Sequence, residues 1–95
     1  MRDEYTFVPN VYFDEHLAEL SGAEIKVLLA ITRRTFGEQK ESDEISLSQF
    51  ERMTGLDRKS VIAGLRGLIQ RGLVVQTQAA RGIRPASYKC VMPED

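Results

Sequence analysis

Residues 45–75, ISLSQFERMTGLDRKSVIAGLRGLIQRGLVV, decide the fold. Ser46 with Gln49, and Ser48 with Glu51, both have the spacing of a capping box, in which a serine oxygen accepts an amide three residues on and the side chain there reaches back. A helix therefore starts near residue 47, in one of two registers, with Leu47, Phe50 and Met53 or Thr54 facing inward. Gly55 supplies the backbone freedom of a tight interhelical turn, Leu56 plugs the corner and Asp57 caps a second helix over 58–71. Val61, Leu65 and Leu68 are spaced to face a core. Gly64 and Gly67 each cost that helix about 1 kcal/mol relative to alanine. Gly64 reads as a close-packing point against the preceding helix; the sequence offers no reason for Gly67. Gly72 stops the helix, and residues 73–77 and 87–91 read as paired strands around a loop holding Arg81, Gly82, Arg84 and Pro85. The predicted class is α+β, mainly α: a winged helix-turn-helix with a C-terminal β-hairpin wing.

Upstream, Ser21-Gly-Ala-Glu24 is another capping box, opening a helix over 22–36. Ile25, Leu28, Leu29, Thr32 and Phe36 share one face of it, and Val27 and Ile31 add a second apolar strip. A helix apolar most of the way round is buried by several neighbours or buries one face in a homodimer; the first is favoured, because the N-terminal segment needs something to pack on. Gly37 is placed to be its left-handed stop, with Arg33 and Arg34 suiting its negative end. Residues 5–8 read as extended, 14–20 as a short helix begun by Asp14, 38–44 as a polar loop and Ile45 as the start of a brief strand.

The 95 residues fit one domain, with an extended arm over 1–12, the helix-turn-helix over 45–72 and the wing over 73–91. At 42% hydrophobic and 28% charged residues, the chain is ordinary for a folded domain and unlike a disordered one. No apolar run reaches the ~20 residues of a membrane span, no signal segment opens the chain, and one cysteine fits a reducing, cytoplasmic setting. His16 and Cys90 are the sole members of their types, so the sequence contains neither a metal-ligand cluster nor several Cys/His groups for catalysis; no enzyme and no cofactor is expected. Gly64-x-x-Gly67 lies inside a helix and is no phosphate loop.

The net charge of −1 conceals a division. Residues 1–55 carry 6 basic and 11 acidic side chains, whereas residues 56–93 carry 7 basic and 1 acidic. Fields act over a Debye length of ~8 Å, so the basic part can hold phosphate although the whole chain is slightly acidic. A helix-turn-helix places the start of its second helix in the major groove. The residues available there are Arg58, Lys59 and Ser60, then Ile62 and Ala63 one turn on, then Arg66. Two cations in a first helical turn oppose the helix dipole, which favours a functional reason for them. Ile62 and Ala63 offer only apolar contact, so base readout is limited to a few positions. Ser48 and Gln49 are placed to touch phosphate, and Arg81 and Arg84 to enter a minor groove or clamp phosphate from the wing.

Across about residues 7–75 the chain resembles the N-terminal DNA-binding domain of phage replication protein O and related phage and plasmid replication initiators. The motifs are Phe7-Val-Pro-Asn10, Leu20-Ser-Gly-Ala-Glu-Ile-Lys-Val-Leu-Leu29, Arg33-x-Thr-Phe-Gly37, Lys40, Asp43, Ile45-Ser-Leu-Ser-Gln-Phe50 and Thr54-Gly-Leu-x-Arg-Lys-Ser-Val61, completed by Leu65-x-x-Leu68 and Gly72-Leu73. The later motifs are common to many winged helices; the Arg-x-Thr-Phe-Gly and Lys-x-x-Asp-x-Ile-Ser pieces narrow the match. The resemblance implies binding to duplex repeats of a replication origin, with helicase or its loader recruited through a separate C-terminal region beyond these residues. A transcriptional regulator with the same fold, and a protein-interaction winged helix with Val27 and Ile31 at its interface, are the alternatives.

Overall fold

The chain, seen in a computed structural model that describes residues 4–92, builds three helices against a small sheet. Helix α1 spans Gly22–Thr35, α2 Leu47–Thr54 and α3 Arg58–Gln70; strand β1 is Asp43–Glu44, β2 Val74–Gln78 and β3 Ser87–Cys90. The sheet is antiparallel in the order β1-β3-β2. The helices and the β2–β3 hairpin make the winged-helix architecture expected from the sequence.

Local chemistry fixes the element boundaries. Ser21 and Glu24 form the complete capping box of α1, with Ser21 Oγ accepting the Glu24 amide at 3.1 Å and Glu24 Oε1 accepting the Ser21 amide at 2.8 Å. Of the two registers open for α2, the chain takes the first: Ser46 is the cap and Gln49 its reciprocal partner. The reason lies one residue earlier. Ile45 is buried, and its amide donates to the Ala86 carbonyl at 3.1 Å, so the chain stays extended to that point. Gly55 adopts φ 75°, a left-handed conformation costly for an L side chain, and Asp57 Oδ1 accepts the Ser60 amide to open α3.

Phe50, Ile31, Ile45, Leu68, Val27, Val61 and Val74 are the fully buried apolar side chains, drawn from all three helices and the sheet. The hydroxyls of Thr32 and Thr35, also fully buried, donate to the carbonyls of Leu28 and Ile31 and so remain satisfied in the core. Val27 and Ile31 lie at the centre of this core, so α1 is buried by several neighbours, and the interface role weighed for that pair is excluded. Leu29 is instead 45% exposed, and Ile25 and Phe36 lie at the edge of the core.

The glycines of α3 serve its contact with α1, not with the preceding helix α2. A Cβ on Gly64 would lie 3.1 Å from the Ala23 carbonyl oxygen and 3.1 Å from Val27 Cγ2. A Cβ on Gly67 would fall on the Glu24 carboxylate. That carboxylate accepts the Ser21 amide on one oxygen and Arg71 Nε at 3.2 Å on the other, joining the start of α1 to the end of α3. Burial pushes the Glu24 pKa up, but the Ser21 amide and the Arg71 guanidinium outweigh it, leaving Glu24 below its ordinary value. The folded state therefore binds this proton less readily than the unfolded one. The resulting stability is present above the unfolded carboxylate range, about 4.3, and is lost as pH falls through the folded pKa. Glu24→Gln keeps a capping side chain and loses the charge. Its urea midpoint is expected below that of the unsubstituted chain at neutral pH, with the gap closing in acid; a pH-independent gap would show the charge to be irrelevant.

Several boundaries differ from those the sequence suggested. Residues 5–8 join no strand. The segment before α1 is a π-helical turn, Tyr12–His16, followed by a 3-10 turn, Leu17–Glu19; Val11, and not Asp14, occupies the cap position, and Tyr12, whose amide donates to the Pro9 carbonyl at 3.0 Å, is its buried residue. A 3-10 turn, Phe36–Glu38, extends α1, and the left-handed residue is Gln39, φ 58°, rather than Gly37. A Cβ at Gly37 would lie 2.8 Å from Thr6 Oγ1 and 3.0 Å from Arg33 NH1, so a larger residue there would displace those side chains. Strand β1 precedes Ile45. Arg34 Nε bonds Asp43 at 2.9 Å, and Lys40 Nζ bonds its other oxygen at 3.3 Å, so this polar stretch braces β1 against α1.

Candidate nucleic-acid interface

The first turn of α3 emerges beside the N-terminal half of α2. Arg58, the first residue of α3, points back over that helix: its Nε donates to Glu51 Oε2 at 2.8 Å and its NH2 to Ser48 Oγ at 3.3 Å. The Arg58 side chain remains 57% exposed, so these bonds aim the guanidinium without hiding it. Ser48 is exposed and lies at this junction, whereas the Gln49 side chain is committed to the cap of α2.

Lys59, Ile62, Ala63 and Arg66 lie on the exposed face of α3, opposite Val61, Leu65 and Leu68. Among the described residues, no carboxylate lies within ion-pairing distance of Lys59 or Arg66. Ser60 is half-buried and bound to Asp57, whose carboxylate takes its amide. The Ser60 amide and hydroxyl, and then nearby Lys59, hold Asp57 below its ordinary pKa. Asp57 is therefore an anion at the mouth of the site, and the bond it takes from Ser60 is to the backbone amide.

The wing stands alongside. Strands β2 and β3 pair with a bulge between Gln76 and Gln78, which adds one residue to the outer strand and increases its local twist. At the tip, Arg81 and Arg84 exchange both backbone hydrogen bonds at 2.9 Å around Gly82 and Ile83. Gly82 has φ 59°, while Ile83 is outside the positive region, which defines a type II′ turn with glycine where that turn demands it. Arg81 is exposed, and Arg84 pairs with Glu44 through Nε, at 3.1 Å, and NH2. The wing tip and the helix pair face one groove, lined by Ser48, Arg58, Gly82, Ile83 and Arg84 among others. A second groove between α3 and the sheet is lined by Ile62, Arg66, Ile69, Gln70 and Gln76.

The structure thus brings Ser48, Arg58 and Arg84 to one groove and Ile62 and Arg66 to the next. Gln49 is held at the cap, and Arg81 is outside the lining of both grooves. Sequence reading missed four participants: Glu51 and Glu44, which hold Arg58 and Arg84, and Gln70 and Gln76, which line the second groove. Glu51 stands seven residues before Arg58, but only the geometry of the Gly55 turn makes that spacing a contact; in the sequence Glu51 looked like a capping partner of Ser48. The alternating strand pattern around Gln76 carries the one legible signal.

Among the described residues no group of three or more His, Cys, Asp or Glu is arranged to hold a metal ion, and no helix is long and apolar enough to cross a membrane. A family model described as bacteriophage replication protein O matches residues 1–87. Neither the curated proteins nor the solved structures gave a significant match.

Proposed function

From the chain's membership of the bacteriophage replication protein O family, whose proteins are DNA-binding replication initiators and not enzymes, we propose how this domain meets its DNA. The N-terminal turn of α3 enters the major groove, where Arg58 and Lys59 take guanine edges or phosphates and Ile62 and Ala63 lie against thymine methyls. Arg66 reaches the groove edge. Ser48 supports phosphate from α2, while Gln49 stays with the Ser46 cap through both its side chain and its amide, and the Ser60 hydroxyl bonds a base edge or phosphate beside Arg58 and Lys59. Arg81 and Arg84 grip the adjacent backbone or minor groove from the wing. The observation that carries this reading is the single groove in which Arg58 of the helix pair and Arg84 of the wing both stand.

In this reading two copies occupy neighbouring repeats of an origin in the cytoplasm, and a separate region recruits the replicative helicase or its loader. Family membership supports the origin role, and the exposed cationic helix start supports the contact surface.

The test is fluorescence anisotropy of the chain on a random-sequence duplex titrated with salt. Engagement of about four phosphates would give a slope of log affinity against log salt near −3.6. Binding that ignores salt, or no binding in dilute salt, would remove the phosphate-gripping face from the proposal.

A further inference from the structure

We propose that Ile83 is a wedge: on bound DNA the tip of the wing enters the minor groove, and this side chain inserts between adjacent base pairs, partly unstacking and kinking the duplex. The inference rests on the DNA-binding reading above and adds a deformation step to it.

Ile83 is 100% exposed. It occupies the second central position of a type II′ turn, where turn chemistry favours Gly, Asn, Asp or Ser and gains nothing from a β-branched side chain. Both solvation and local conformation therefore argue for a small polar residue there, and an isoleucine is present. The stem, Gln76, Thr77 and Gln78, is polar, while the groove beside the tip also holds Leu47, Ala80 and Pro85, so the apolar side chain stands at the rim of the surface that would face the duplex. It is flanked by Arg81 and Arg84, whose mutual backbone bonds close a two-residue tip from which the Ile83 side chain is the fully exposed apolar group.

Placement gives the wedge its direction. Ile83 lines the same groove as Arg58 and Ser48, so a duplex seated on the helix pair passes this tip. Arg84 is tied to Glu44 at the end of β1, which holds the tip toward that side. Cationic flanks with one apolar side chain between them match what a minor-groove wedge requires: arginines to neutralise the phosphate walls and an apolar group to replace base stacking.

Partial insertion unwinds the duplex, which can be read without knowing the binding site. Relaxed closed-circular plasmid is incubated with the protein and topoisomerase I, deproteinised and resolved by superhelical density, with anisotropy on random duplex in parallel. The unsubstituted chain is expected to leave negative supercoils in proportion to bound protein. Ile83→Ala, at a fully exposed position, is expected to fold and bind nearly as well but to lose about half or more of the shift per bound protein. Ile83→Phe is expected to retain the shift. Binding without any shift, or an undiminished shift from Ile83→Ala, would overturn the wedge while leaving DNA binding in place. No binding by the unsubstituted chain would overturn both.

Discussion

Replacing Arg58 and Lys59 together by alanine is expected to weaken binding to random duplex by roughly ten- to a hundredfold in dilute salt and to flatten the salt slope by about 2. The loss combines an arginine contact, worth about 1–3 kcal/mol if it reads a base, with a lysine contact that is indifferent to sequence. The same substitution should leave the fold intact. Arg58 is largely exposed and its pair with Glu51 is a surface ion pair, a class that contributes about 0–1 kcal/mol. Removing two cations from a helix N-terminus also relieves an unfavourable interaction with the helix dipole, so thermal stability should hold or rise slightly. Affinity falling while stability holds is the pattern of residues kept for binding. Unchanged affinity in the double variant would sink the assignment of α3 as the DNA-reading helix.

Phe50→Ala is expected to be the most damaging single change. Phe50 is fully buried, and its ring meets Tyr88 edge to face, with centroids 5.7 Å apart and planes at 68°. Truncating a buried phenylalanine costs about 3–5 kcal/mol, against a whole-domain stability of about 5–15 kcal/mol. For a chain of this size the melting temperature should fall by on the order of 20 °C, read by circular dichroism. The site suffers as well. Helix α2 has 8 residues, well below the ~12–15 at which isolated helices become even marginal, so it depends on this anchor. When α2 loosens, Ser48 and Glu51 no longer aim Arg58. DNA affinity should therefore fall in parallel with stability, unlike the outcome at Arg58 and Lys59. A melting temperature within a few degrees of the parent would show that Phe50 is not the keystone of α2.

The sequence was most legible where chemistry is local. The capping box at Ser21, the Asp57 cap and the glycine turns at Gly55 and Gly72 depend on groups within a few residues of one another, and each stands where its spacing put it, whereas the choice of Ser46 over Ser48 as the cap of α2 needed the distant Ala86. What depends on distant partners was not legible. Gly67 has its reason in Glu24, on another helix, and the space at Gly37 is bounded by Thr6 and Arg33. Leu29, which the sequence placed on one face with Ile25 and Leu28, is 45% exposed, and only the packing of the other elements on α1 decides which strip is buried. The basic side of the proposed interface rests on charge segregation in the sequence; the contacts of Arg58 with Glu51 and of Arg84 with Glu44 were not legible there, since those carboxylates lie in the half of the chain that looked merely acidic.

Strand β3 separates β1 from β2 and pairs with both, although it follows both in the chain. This has a consequence for synthesis on the ribosome. The helix pair and the first two strands emerge from the exit tunnel with no strand to pair with, and the face of Phe50 that Tyr88 covers stays bare until residues 87–90 appear. The sheet closes last: β1 and β2 gain their shared partner, and Phe50 its aromatic neighbour, only once β3 has been made.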